Sequence, residues 1–149
     1  VLLTLMRVVK CEASSLLEVD ESKQVFRFRA SVGQVSDKIG EFTVPFGKGI
    51  VGYVAETKAP LIVDDLHQNS VHLKSVSDAL GFEAKNLIAI PLLIRGRLYG
   101  VLEMLNRVGE PTFTPADRDL LVAIAQNACR AIEIRMMLGK LVHQNKEAA

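Results

Sequence analysis

Apolar residues crowd the first nine positions of the chain, where Leu2, Leu3, Leu5, Met6, Val8 and Val9 fall with no Gly or Pro before Glu12. That spacing predicts a helix burying one broad face. β-Branched and aromatic residues then gather in ASSLLEV and QVFRFRA on either side of Asp20-Glu21-Ser22-Lys23, the pattern of a hairpin around a polar turn. Side chains alternate along a strand, so Val25, Arg27 and Arg29 should face one way and Phe26, Phe28 and Ala30 the other, with the phenylalanine side buried. Residues 31–41 are polar, contain two glycines and read as a loop.

Between Gly49 and Pro60, Ile50, Val54 and Val51 mark one side of a short helix, and Gly47, Gly49 and Gly52 permit close backbone approach. Leu61, Ile62 and Val63 form a short buried strand that ends at Asp64 and Asp65, and a polar excursion follows from Leu66 to Asn86. Two apolar runs, Leu87 to Ile94 and Leu98 to Leu105, flank Arg95-Gly96-Arg97. They predict a second hairpin at the centre of a sheet, with Gly96 supplying the positive φ of the turn. Thr114, Pro115 and Asp117 give an N-cap, a first-position proline and an acidic first turn. The helix they open is expected to run to Val142, about 28 residues or roughly 40 Å. Its apolar residues fall on two seams, one of Leu121, Ile124, Ala128, Ala131, Leu138 and Val142, the other of Val122, Ala125, Cys129, Ile132 and Met136. One seam is expected on the sheet and the other on a second chain. These elements predict one α+β domain, an antiparallel sheet with the terminal helices on one face.

Composition narrows the function more than the fold. The 149 residues suit one core, and 49% apolar content is ordinary for a globular chain. A net charge of +1 sets up no field that would favour nucleic acid or an anionic membrane. The apolar runs are far shorter than the roughly 20 residues a bilayer span needs, and no signal-peptide pattern opens the chain, so a cytoplasmic setting is expected. Cys11 and Cys129, expected on two separate helices and without CxxC spacing, read as reduced core thiols. The chain opens at Val1 inside a helical pattern, which suggests a domain at residues 1–142 excised from a longer polypeptide, with residues 143–149 as a frayed tail or the start of a linker.

Taken in order, ASSLLEVDE, GKGIVGYVAETKAPLIVDD, GFEAKNLIAIPL, GRLYGVLEMLNR and FTPADRDLLVAIAQNACRAI resemble a GAF domain from about Leu3 through Leu141. The resemblance implies a PAS-related fold with a lid over the second face of the sheet, and a regulatory module joined to an output domain, not an enzyme in itself. From Val63 to Asn106 the chain is most similar to the cyclic-nucleotide-binding GAF domains of phosphodiesterases. Their Asn-Lys, Phe, Asp-Glu signature falls here on Asn106, Arg107, Phe113, Asp117 and Arg118. Asn106, Phe113 and Asp117 match, Arg107 retains the charge needed for an ion pair with Asp117, and Arg118 reverses the last charge.

The same resemblance implies a ligand pocket formed by Ser15, Arg29, Ile50, Val51, Leu73, Ser77, Ala84 and Glu103. Ser15, Ile50 and Glu103 match the cyclic-GMP binders. Arg29 and Ala30 stand where those proteins stack a Phe and read guanine with an acid, and Leu73, Ser77, Leu80 and Ala84 replace polar lid contacts. Each hydrogen-bonding group lost from a built site costs about 1–3 kcal/mol, so tight cyclic GMP binding is not expected.

Glu103 stands out within its strand, sharing a side with Val101 and Leu105, where a carboxyl needs a partner or a polar cavity. His67 and His72 raise haem, but no second ligand cluster accompanies them. Asp64 and Asp65 point to opposite faces and suit a strand end better than a cation site. Free methionine sulfoxide reductases share the fold, yet Cys11 and Cys129 fall on the expected back face, and no bilin-attachment signature, P-loop or Ser-His-Asp order is present. Two readings remain: a sensor that binds a small molecule under the lid and signals through the terminal helices, or a dimerising assembly module without a ligand.

Overall fold

A computed structural model describes residues 1–33, 42–68 and 82–148. Helix α1 (Leu2–Val8) is followed by β1 (Cys11–Asp20), β2 (Val25–Gly33), β3 (Thr43–Pro45), α2 (Gly49–Thr57), β4 (Leu61–Val63), β5 (Leu87–Ile94), β6 (Arg97–Arg107) and α3 (Pro115–Ala148). The six strands form one antiparallel sheet in the order β3-β2-β1-β6-β5-β4. Its centre is therefore the β1–β6 pair, so of the hairpin expected there β6 is central and β5 lies one strand out.

Each face of the sheet carries its own core. On one face α2 packs Ile50, Val51 and Val54 against Leu17, Phe26 and Val101, with Leu66, Phe82 and Ala84 from the ends of the 66–86 excursion. On the other, Leu5 of α1 and Leu121, Ala125 and Cys129 of α3 cover Ile88, Ile90, Leu102 and Met104, with Phe113 beside them. The expected division into a helix face and a lid face is the one observed. In the β5–β6 turn both Arg95 (φ 53°) and Gly96 (φ 77°) are left-handed, the geometry of a type I′ hairpin that matches strand twist.

Local departures have local causes. A β-bulge interrupts the β1–β2 register, so Leu16 pairs with Ala30 while Leu17 pairs with Phe28. Arg29 takes the extra position, and beyond it the alternation inverts: Ala30 and Val32 turn to the helix face, away from Phe26. Cys11 opens β1 instead of lying on a helix, and β2 runs to Gly33 into the expected loop. Strand β3, absent from the sequence expectation, is only three residues long. Helix α3 has 34 residues and extends to Ala148. Its sheet-facing residues Leu121, Ala125 and Cys129 come from both expected seams, because a straight helix meets a sheet along an i, i+4 row.

Candidate functional site

Antiparallel register assembles the centre of the lid face. Ser15 of β1 stands opposite Glu103 of β6, and Glu103 stands opposite Ala89 of β5. Ser31 of β2 completes the row, its hydroxyl 3.1 Å from that of Ser15. Alternation puts Glu103 between Val101, fully buried, and the partly buried Leu105, so the carboxyl projects to the face on which α2, Leu66, Phe82 and Ala84 pack. Only 8% of Glu103 is exposed. Among the described residues no group hydrogen-bonds to its carboxyl, and burial pushes its pKa up to about 7. A neutral carboxylic acid is favoured there because charge is costly in an apolar setting. Small neighbours (Ser15, Ser31, Ala89) leave this row lined by one acid and two hydroxyls.

Of the residues expected in a pocket, Ser15, Ile50, Val51, Ala84 and Glu103 are brought to this face, all buried. Arg29 is not among them: its side chain is 72% exposed and its Nε lies 3.5 Å from a Glu18 carboxylate oxygen. The bulge that frees it from the register also turns it outward. Leu73, Ser77 and Leu80, with His72, lie outside the described residues. His67 is exposed, its Nε2 3.5 Å from Glu83. Among the described residues no group of His, Cys, Asp or Glu could hold a metal ion.

At the end of β6 the signature residues form a joint. Asn106 adopts φ 59° and is buried, a conformation its short polar side chain tolerates. Its amide nitrogen donates to Glu12 and to the Glu83 carbonyl, both at 2.8 Å, and its Oδ1 accepts from the Lys85 backbone at 2.7 Å. Asn86 reciprocates, accepting from Arg107 N–H at 2.9 Å. Arg107 then grips Asp117 through Nε at 2.8 Å and Nη2 at 3.2 Å, with both side chains largely buried. Asp117 and Thr114 exchange hydrogen bonds at 2.9 and 3.1 Å, capping α3. Burial raises the Asp117 pKa, but the Arg107 and Thr114 hydrogen bonds outweigh it and hold the carboxyl below its usual range. The returning end of the excursion, β6 and the start of α3 are thus one hydrogen-bonded unit. Phe113 is buried beside it on the helix face.

A second link crosses at the opposite end of the sheet. Lys58, the left-handed cap of α2, donates to the Gly96 carbonyl at 2.9 Å, and Arg95 donates to Glu133 of α3 at 2.6 Å. The sequence offered no signal for these contacts, which depend on where the hairpin tip lands. Asn86 and Glu12 were legible only as polar residues beside apolar strands. Both cysteines lie on the helix face, remote from Glu103, and burial pushes the Cys11 thiol up to about 11 and also raises that of Cys129.

A family model described as GAF domain matches residues 1–133. The chain belongs to the GAF domain family. It is 33% identical over 79 residues to the probable 3',5'-cyclic phosphodiesterase pde-5 of Caenorhabditis elegans, a match covering 53% of this chain and 11% of that protein. Among solved structures it is similar to the GAF domain of a phosphoenolpyruvate-protein phosphotransferase from Coxiella burnetii, with a TM-score of 0.80 at 23% identity, covering 93% of this chain and 82% of that one. The free methionine-R-sulfoxide reductase of Neisseria meningitidis superposes with a TM-score of 0.68 at 20% identity over 84% of this chain and 69% of that one. These two likenesses are of fold. GAF domains serve as regulatory modules in signalling proteins, and among the described residues no helix is long and apolar enough to cross a membrane.

Proposed function

We propose that the chain is the sensor domain of a signalling protein and binds a small molecule between the sheet and the 66–86 excursion. The observation that carries this reading is Glu103, a carboxyl on the lid face with no hydrogen-bonding partner among the described residues and with Ser15 and Ser31 beside it. A ligand that prefers the closed lid would pull on residues 82–86, which are tied through Asn106 and Arg107 to the start of α3. Only such differential binding transmits a signal. Helix α3 leads to the output domain and, with α1, pairs two copies of the chain.

Tight cyclic GMP binding is not part of this proposal, because Arg29 turns out to Glu18 and Ala30 turns to the helix face. Catalysis of the methionine sulfoxide reductase kind is not proposed either. Its cysteines would have to reach the pocket, whereas both thiols here pack under α1 and α3, and burial favours their protonated form. Native mass spectrometry of the chain purified from its own cells tests the reading. A reproducible bound mass that disappears in Glu103→Ala is expected, and a bare dimer would favour the assembly module.

A further inference from the structure

The two helices on the helix face do not close over its middle. Helix α1 packs on β1 and β2 and α3 packs on β5, so Leu16 of β1 and Leu102 of β6, on the central pair of strands, form the floor of a groove of about 540 Å³. That volume is in the range of small-molecule sites. Its walls are apolar, with Leu2, Leu3 and Leu5 from α1 and Ile124, Ala128 and Ile132 from α3. Small residues hold it open. Ala125, Ala128 and Ala131 line it from α3, and the bulge at Arg29 turns Ala30 into it from β2. At the end of this lining stands Arg135, the last α3 residue on the groove. Among the described residues it is the one charged side chain there, and it takes part in none of their ion pairs. The exposed Ile134, Leu138 and Leu141 lie outside the groove.

We infer that this groove binds a single-chain fatty acid, with the alkyl tail lying on Leu16 and Leu102 between the helices and the carboxylate meeting Arg135. Charge selects the head. A guanidinium pairs with a carboxylate through two parallel hydrogen bonds, whereas a peptide would bring amide groups for which the lining side chains other than Arg135 offer no partner. Length selects the tail. From Ile124 to Arg135 the helix rises about 16 Å at 1.5 Å per residue, the reach of about a dozen methylenes in a zigzag of C–C bonds of about 1.5 Å. The groove is on the opposite face of the sheet from Glu103, so this site stands or falls independently of a ligand on the lid face.

Isothermal titration of the chain with octanoate, decanoate, laurate, myristate and palmitate, each below its micelle concentration, tests the assignment. Affinity should rise on the order of tenfold for each two carbons through laurate, as each methylene leaves water, and level off once the tail outgrows the groove. Arg135→Gln should weaken laurate about tenfold and leave dodecanol unchanged. Ala128→Phe, or Ala131→Phe at the more exposed position, should fill the groove and block both the acid and the alcohol, with thermal melts showing the fold intact. The assignment is overturned if laurate does not bind, if affinity climbs through palmitate without levelling, or if Arg135→Gln weakens the alcohol as much as the acid. Laurate binding that survives both phenylalanines overturns it equally.

Discussion

Replacing Glu103 with Gln should remove a pH effect. The carboxyl is buried and its pKa is raised by burial from 4.5 to about 7. Between those values the folded chain holds a proton that the unfolded chain has released, so stability falls as pH rises through the window. A displacement of that size corresponds to about 3 kcal/mol at 1.36 kcal/mol per pKa unit. Wild-type protein should therefore be more stable at pH 5 than at pH 8 by about that much from this group alone. Gln keeps the shape and cannot ionise. Glu103→Gln should lie close to wild type at pH 5 and melt higher at pH 8, by roughly 6–12 °C at 2–4 °C per kcal/mol for a chain of this size. Thermal melts of both proteins from pH 4.5 to pH 8.5 measure it. Parallel profiles would refute the reasoning and mean that the Glu103 carboxyl is ionised and paired when folded.

Asn106→Ala removes four side-chain hydrogen bonds at a buried joint and should lower unfolding stability by about 3 kcal/mol or more, read by denaturant titration. Asn106→Gly relieves the positive φ but should lose as much, so near-normal stability in the glycine variant would assign the residue to backbone geometry alone. An Arg107→Ala, Asp117→Ala double-mutant cycle should return about 1–3 kcal/mol of coupling at pH 7. Since the Asp117 pKa is depressed by net, that coupling is present at neutral pH and should vanish as acid protonates the carboxyl; a pH-independent value would contradict the pairing. Gly100→Ala should cost about 1–3 kcal/mol, because its Cβ would meet the Leu17 carbonyl across the strands. Gly139→Ala meets nothing within 4 Å on the helix and should gain up to about 1 kcal/mol. Thermal melts giving the same sign for both would undercut the packing described here.

The sequence carried most of the fold because its periodicities are local. Turn residues at Asp20 to Lys23 and at Gly96, and the cap at Thr114, define their elements without knowledge of the rest of the chain. The bulge at Arg29 was not legible: an added position breaks alternation without altering composition, and it moved both Arg29 and Ala30 away from their expected faces. The two seams of α3 were seen but wrongly divided, since which i, i+4 row meets the sheet depends on the approach of the helix. Glu103 was visible as a carboxyl out of place in an apolar strand. Its serine neighbours came from pairing register, which sets Ser15 opposite both Ser31, 16 positions on, and Glu103, 88 positions on. Lys58 and Arg95 reach their partners only through tertiary packing.

The central claim is that occupation of the Glu103 site is felt in α3. Hydrogen exchange of the chain with and without the small-molecule fraction of its own cells reads both ends at once. Protection is expected at residues 82–90 and, in the same samples, along residues 115–142, with both effects absent in Glu103→Ala. Protection confined to the sheet, or none at either place, would contradict the account.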